Sequence, residues 1–154
     1  MNIEIITKKS FCVIGKEGST DMGEGFIREL WNEANNHFDE IAELVKKDSK
    51  NNPVGYWGAM SNFSMEFMPW EDNFTKGKYL AGAECYADSV APMGWSKWIV
   101  PGFQYVKIRC DDVDTFPNGI KYIAEQGYRL AGAVHDYTDA STGQNYMYFP
   151  IKKL

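Results

Sequence analysis

Residues 79–109, YLAGAECYADSVAPMGWSKWIVPGFQYVKIR, hold the alternation on which the fold turns. Tyr79, Ala81, Ala83 and Cys85 fall on one side of an extended segment. Leu80, Gly82, Glu84 and Tyr86 fall on the other, because successive side chains of a strand point to opposite faces. Two further extended runs, Gly94–Val100 and Phe103–Arg109, flank the turn dipeptide Pro101-Gly102 and are expected to pair as a hairpin. A single carboxylate, Glu84, stands among small and aromatic residues, with Trp95 and Trp98 close behind it.

Working outward from this stretch, Ile3–Thr7 and Phe11–Lys16 read as a strand pair around Lys8-Lys9-Ser10. Asp21 with Glu24 three residues on resembles a capping box. From there Phe26, Ile27, Leu30, Trp31, Ala34, Phe38, Ile41, Leu44 and Val45 recur at helical spacing, so a long helix is expected to run to about Ser49. Trp31 belongs to that stripe and reads as core. Val54–Met60 is a strand with two glycines. Asn62–Lys78 is irregular and rich in Met and aromatic residues, and Tyr79–Ala87 is a strand. A shorter helix is expected over Phe116–Gln126, capped by Asp114 or Thr115 and closed by Gly127. Arg129–Tyr137 and Asn145–Lys152 read as the last two strands.

The elements repeat, and short echoes (SFCVIGK against GFQYVKI, YWGAM against LAGAV) fit a duplication. The expected fold class is α+β: two β-α-β-β halves sharing one antiparallel sheet, with two helices on one face. Between such helices a groove is left over the centre of the sheet. Residues 1–154 are read as one domain.

Composition narrows the function. Five Trp, nine Tyr and nine Phe make 15% of the 154 residues, and seven Met add adaptable apolar surface. The net charge is −5 and no run of Lys or Arg exceeds two residues, so direct binding to a nucleic-acid backbone is not expected. Cys12, Cys85 and Cys110 lack metal-ligand or disulfide spacing. The two histidines, His37 and His135, lie in distant segments. Neither a metal nor a cofactor is indicated. No long apolar run or signal segment appears, so the expectation is a cytoplasmic protein without membrane contact.

The motifs together resemble the GyrI-like small-molecule-binding domain, also called the AraC-type or bacterial transcription activator effector-binding domain. The resemblance rests on Tyr79-Leu-Ala-Gly-Ala-Glu84, on Pro92-Met-Gly-Trp95 with Trp98-Ile-Val-Pro101-Gly102-Phe103-Gln-Tyr105, on Gly127-Tyr128 and on Tyr148-Phe-Pro150-Ile151. It covers nearly the whole chain and is weakest over Asn62–Lys78. The resemblance implies a pseudo-two-fold duplication and an aromatic pocket between the helices. It also implies multidrug-type binding of lipophilic or cationic compounds, often as the sensing half of a transcription regulator. Two positions that carry Glu in the family are Tyr146 and His135 here, which leaves Glu84 as the main charge expected in the pocket. The first strand begins almost at Met1, so no helix-turn-helix is expected before it.

Candidate ligand-binding residues follow. Glu84, if buried and unpaired, would attract a cation. Trp57, Trp95 and Trp98 would offer stacking faces. Tyr56, Tyr105, Tyr146 and Tyr148 would orient a ligand through their hydroxyls, and His37 borders the buried face of the long helix. The favoured function is a stand-alone binder of apolar, aromatic or cationic small molecules. The alternative is a hydrolase or detoxifying enzyme using the same pocket, with Glu84 as acid or base, since the resemblance extends to hydrolases of small electrophilic compounds. A third reading is a regulatory protein that contacts a protein partner or a second copy through Phe63–Phe74.

Overall fold

Alternating burial produces eight strands, and in the computed structural model, which describes residues 1–154, all eight join one antiparallel sheet. They are β1 (Ile3–Lys8), β2 (Phe11–Ser19), β3 (Tyr56–Ser61), β4 (Lys78–Cys85), β5 (Ser96–Val100), β6 (Phe103–Arg109), β7 (His135–Thr138) and β8 (Asn145–Lys153). Their order is β1-β6-β8-β7-β3-β4-β2-β5. That order is a palindrome of two equivalent halves: β6-β8-β7 matches β2-β4-β3, with β1 and β5 at the two edges. The duplicated α+β architecture read from the sequence is thus borne out.

Both expected hairpins are corrected. β1 pairs with β6 and β2 pairs with β5, so neither short connection joins two hydrogen-bonded neighbours. Lys9-Ser10 and Pro101-Gly102 are corners that carry the chain from one end of the sheet to the other. The sheet must therefore curl. Ile6, Phe11, Val13, Trp57, Leu80, Trp98, Val100, Phe103, Tyr105 and Tyr148, drawn from seven of the strands, share one core inside the curl.

The helices lie outside it. Helix α1 (Phe26–Asn36) buries Phe26, Leu30 and Ala34 at four-residue spacing over β2 and β4. Helix α2 (Thr115–Glu125) buries Thr115, Gly119 and Ile123 over β6 and β8. Gly119 is required, because a methyl there would overlap the ring of Phe149.

Helix α1 is shorter than the sequence stripe suggested. Gly23 and Gly25 take φ of 90° and 80°, which glycine adopts without cost, and they delay the start to Phe26. The capping box sits earlier, on Ser19, and serves a short 3-10 turn. After the weak helix formers Asn35, Asn36 and His37 the chain leaves the helix. Ile41 and Val45 still bury completely against the sheet, so the apolar spacing outlasts the helix that it predicted. The segment before β7 is likewise irregular up to Val134, where a strand from Arg129 was expected.

The chain between β3 and β4 forms a strap. Met65, Phe67, Asp72, Asn73 and Phe74 all have positive φ, from 50° to 65°, and the last three make a left-handed turn. Such a conformation costs roughly 1–2 kcal/mol per residue with a Cβ, so neighbouring contacts must hold it. Phe67 N–H donates to the Ser61 hydroxyl, and the Asn62 side chain accepts from the N–H of Glu66. Phe67 enters the core, Met65 packs against it, and Trp70 and Phe74 turn to the helix side. Within Phe63–Phe74, Phe67 is buried and Phe63, Met65, Pro69, Trp70 and Phe74 are half-buried, so its large aromatic side chains are mostly engaged in the domain, while Met68 stays exposed.

Candidate functional site

The sheet has two faces with different chemistry, and the parity of each strand assigns its residues. Glu84 opposes Val13, Trp57 opposes Gly82 and Tyr137, and Tyr148 opposes His135. These side chains point into the curl, away from the helices. Tyr79, Ala81, Ala83 and Cys85 point toward α1. The alternation read in residues 79–85 is correct, but Glu84 lies on the face opposite the groove.

Inside the curl, Glu84 is 4% exposed and already neutralised. Lys8 Nζ lies 3.0 Å from Oε1 and Lys46 Nζ lies 4.0 Å from Oε2. A hollow of about 200 Å³ adjoins it, lined by Lys8, Lys9 and Lys46. Lysines also occupy the aromatic faces here. Lys8 Nζ lies 4.5 Å from the Phe11 ring centre and 5.7 Å from that of Trp57. Lys107 Nζ lies 4.3 Å from the centre of Tyr146. Trp98 donates to Glu17, which Lys78 approaches to 3.6 Å.

Trp57, Tyr105 and Tyr148 are packed together in this core. Trp57 Nε1, the Tyr105 hydroxyl and His135 Nε2 have no hydrogen-bond partner. His135 accepts at Nδ1 from the Met60 N–H, and burial lowers its pKa to about 3, so it is neutral. Glu84, Trp57, Trp98, Tyr105 and Tyr148 are therefore core and ion-pair residues rather than walls of the groove between the helices.

Three other predicted residues lie outside the curl but beyond the far side of α1. Trp95 donates to Glu40 at 2.8 Å and stacks under Lys16. Tyr56 packs on Phe38. His37 is 46% exposed beside Glu33 and Glu40. Tyr146, whose ring shares the inner face with Tyr137 and Lys107, is the one of the nine predicted residues that also borders the groove.

That groove runs over β3 and β7 between α1 and α2. Its polar end, about 310 Å³, is bordered by Trp31, Gly58, Tyr79, Cys110, Asp136 and Met147. Two residues further along each central strand it becomes apolar, about 180 Å³ bordered by Met60, Pro69, Trp70, Phe74, Phe116 and Val134. The strap closes this end and spans both halves, with Trp70 against Phe26 of α1 and Phe74 against Phe116 of α2.

A chain of donors ends on the groove's carboxylate. Trp31 Nε1–H donates to Tyr79 Oη at 3.0 Å, and Tyr79 O–H donates to Asp136 Oδ2 at 2.9 Å. Gly58 stands opposite both strands' key positions, since it is the register partner of Asp136 and of Ala81. A methyl on Gly58 would overlap the Tyr79 hydroxyl, so the pair fits only over glycine. Burial raises the Asp136 pKa from 3.8 to about 6, although the Tyr79 hydrogen bond pulls the other way. Burial, and then the charge of Asp136, push the Tyr79 hydroxyl well above its ordinary range.

Asp136, Tyr79 and Trp31 were not singled out as site residues in the sequence. The available signal was the segment AGAVHDYT at 131–138, where one acid shares the parity of Val134 in an otherwise apolar run. No group of His, Cys, Asp and Glu is arranged to hold a metal ion. No helix is long and apolar enough to cross a membrane.

No protein-family model and no curated protein sequence matches this chain. Solved structures do match it over nearly its whole length. SAV2435 bound to tetraphenylphosphonium is 14% identical, with 99% of this chain and 94% of that one covered and a TM-score of 0.67. A candidate bacterial transcription regulation protein from Staphylococcus aureus MU50 is 13% identical, with 99% of each chain covered and a TM-score of 0.61. An integron cassette protein from the mobile metagenome of Vibrio cholerae is 14% identical, with 99% and 97% covered and a TM-score of 0.58. At these identities the likeness is one of fold, and at that level the resemblance to the GyrI-like domain holds.

Proposed function

We propose that this chain is a small-molecule-binding protein that captures apolar, aromatic compounds, cationic ones among them, in the groove between its two half-domains. The observation that carries this reading is the groove's construction. Trp70 and Phe74 of the strap and Phe116 of α2 wall one end, and a half-buried, hydrogen-bonded carboxylate stands at the other. Concave apolar sites with a few fixed polar groups are the usual form of ligand pockets. SAV2435, which shares the fold, is bound to tetraphenylphosphonium, and that supports the same class of ligand here. We place the protein in the cytoplasm, in keeping with three free cysteines.

Tryptophan fluorescence tests the reading, because Trp31 and Trp70 border the groove and Trp57 and Trp98 do not. Titration with tetraphenylphosphonium is expected to quench the wild type, and Trp70→Ala together with Phe116→Ala is expected to weaken binding at least tenfold. Binding that ignored those changes but vanished in Glu84→Gln would place the site inside the curl and refute the proposal.

A further inference from the structure

The Asp136 carboxylate differs from the other acids built into the sheet. Glu84 and Glu17 each have a lysine within 4.0 Å, whereas no lysine, arginine or histidine pairs with Asp136. Its only side-chain partner is Tyr79, which occupies Oδ2. Oδ1 is left open toward the groove. The neighbouring donors are spent, since the Trp31 N–H goes to Tyr79 and the Tyr79 O–H goes to Asp136. Asn145, the remaining amide on the lining, is exposed at the rim. Beside Asp136 the groove therefore presents a negative acceptor, and the donors left unspent on the lining are the Tyr146 hydroxyl and the exposed Asn145 amide of β8. A ligand that donates a hydrogen bond would complete the carboxylate.

From these observations we infer that the groove selects protonated amines carrying an aromatic body, with an ammonium N–H donating to Asp136 Oδ1 and the ring lying toward Met60, Trp70, Phe74 and Phe116. The inference rests on the groove being the ligand site, as proposed above, and it names the ligand class. A quaternary or phosphonium cation meets the charge requirement but has no hydrogen to give. The space over Gly58 is filled by the Tyr79 hydroxyl, which holds Oδ2, so an ammonium group would meet the carboxylate at Oδ1. The groups facing Asp136 are Tyr79 from β4, Trp31 from α1, Met147 from β8 and Cys110 after β6. None is a cation, so a bound ammonium meets no like charge. The raised pKa of Asp136 adds that the site loses its charge in mild acid.

Isothermal titration with 2-phenylethylamine, its neutral analogue 2-phenylethanol and tetraphenylphosphonium separates the alternatives. At pH 7.5 the amine is expected to bind at least tenfold tighter than the alcohol. In Asp136→Asn that preference is expected to disappear, while Glu84→Gln retains it. Between pH 7.5 and 5 the amine stays protonated, and its affinity for the wild type is expected to fall at least fivefold as Asp136 takes up a proton. Urea denaturation of each variant confirms that it is folded. Equal binding of amine and alcohol by the wild type, with phosphonium binding still lost in Trp70→Ala, would overturn this inference and leave the binding function standing. An Asp136→Asn change that weakened phosphonium as much as amine would also overturn it. Failure of all three compounds to bind would remove both readings.

Discussion

Replacing Asp136 by Asn is expected to stabilise the protein at neutral pH while removing the groove's charge. Asn is nearly isosteric and its side-chain carbonyl can still accept from Tyr79. What is lost is a carboxylate withdrawn from water. Burial moves the pKa from 3.8 to about 6, and a difference of that size corresponds to about 3 kcal/mol for a fully desolvated group. Asp136 is partly exposed, and solvent screening brings the expected figure to about 1–2 kcal/mol. The sign follows from linkage. Below about pH 3 the carboxyl is protonated in both folded and unfolded chains, and the two proteins have a fixed difference in stability. As pH rises from about 3 to about 6 the unfolded chain ionises first, so the native state of the wild type loses stability. Above about pH 6.5 both states are ionised and the loss is complete. Urea denaturation followed by tryptophan fluorescence at half-unit steps from pH 4 to 8 reads this directly. Subtracting the variant from the wild type cancels the other titrating groups. A difference that did not change with pH, or a variant less stable than the wild type at pH 7.5, would refute the desolvated and unpaired state of this carboxylate.

Other expectations follow from particular contacts. Gly58→Ala forces the Tyr79 hydroxyl aside and breaks its bonds to Trp31 and Asp136, so a loss of about 2–4 kcal/mol is expected in urea denaturation, with amine binding lost as well. Glu84→Gln leaves Lys8 and Lys46 without their partner. A loss of about 1–3 kcal/mol is expected, between the values for exposed and buried pairs, while ligand binding in the groove, measured by titration, is unchanged. Phe67→Ala removes the anchor of the strap from the core and is expected to cost about 3 kcal/mol. Hydrogen exchange should then quicken most over residues 62–77, because the left-handed turn is held by contacts and not by intrinsic preference.

Much of the fold was legible because strand parity and turn chemistry are local. The 79–85 alternation, the second helix with its Asp114–Gly127 bounds and the duplication are all properties of neighbouring residues. Pairing was not legible. Lys8-Lys9-Ser10 and Pro101-Gly102 look like hairpin turns in isolation, and only closure of the sheet shows that β1 belongs to β6 and β5 to β2. The site failed for a related reason. Parity separates Glu84 from Cys85 but does not say which of the two faces the helices. Glu84 stands in a motif that carries the family resemblance, while Asp136 stands between His135 and Tyr137 in no such motif. The lysines that neutralise Glu84 lie 76 and 38 positions away in sequence, beyond any local signal.

The duplicated sheet gives a groove with two similar walls, and its usefulness depends on how that similarity is broken. The first half contributes the donors, Trp31 on α1 and Tyr79 on β4. The second half contributes the acceptor, Asp136 on β7. Their meeting point is the central pair of strands, where Gly58 of β3 stands opposite Asp136. A larger residue at 58 would separate the halves' polar groups, and an acid at both positions would set two like charges face to face. One acid opposite one glycine leaves a single negative point, with the Tyr79 hydroxyl seated over the glycine. The interior of the curl follows the opposite rule, since its acids and aromatic faces are met by Lys8, Lys46, Lys78 and Lys107. A cation arriving from solution therefore finds the inner face occupied and the outer groove open. It is this division between the two faces, more than the number of aromatic residues, that favours Asp136 over Glu84 as the carboxylate a cation would reach.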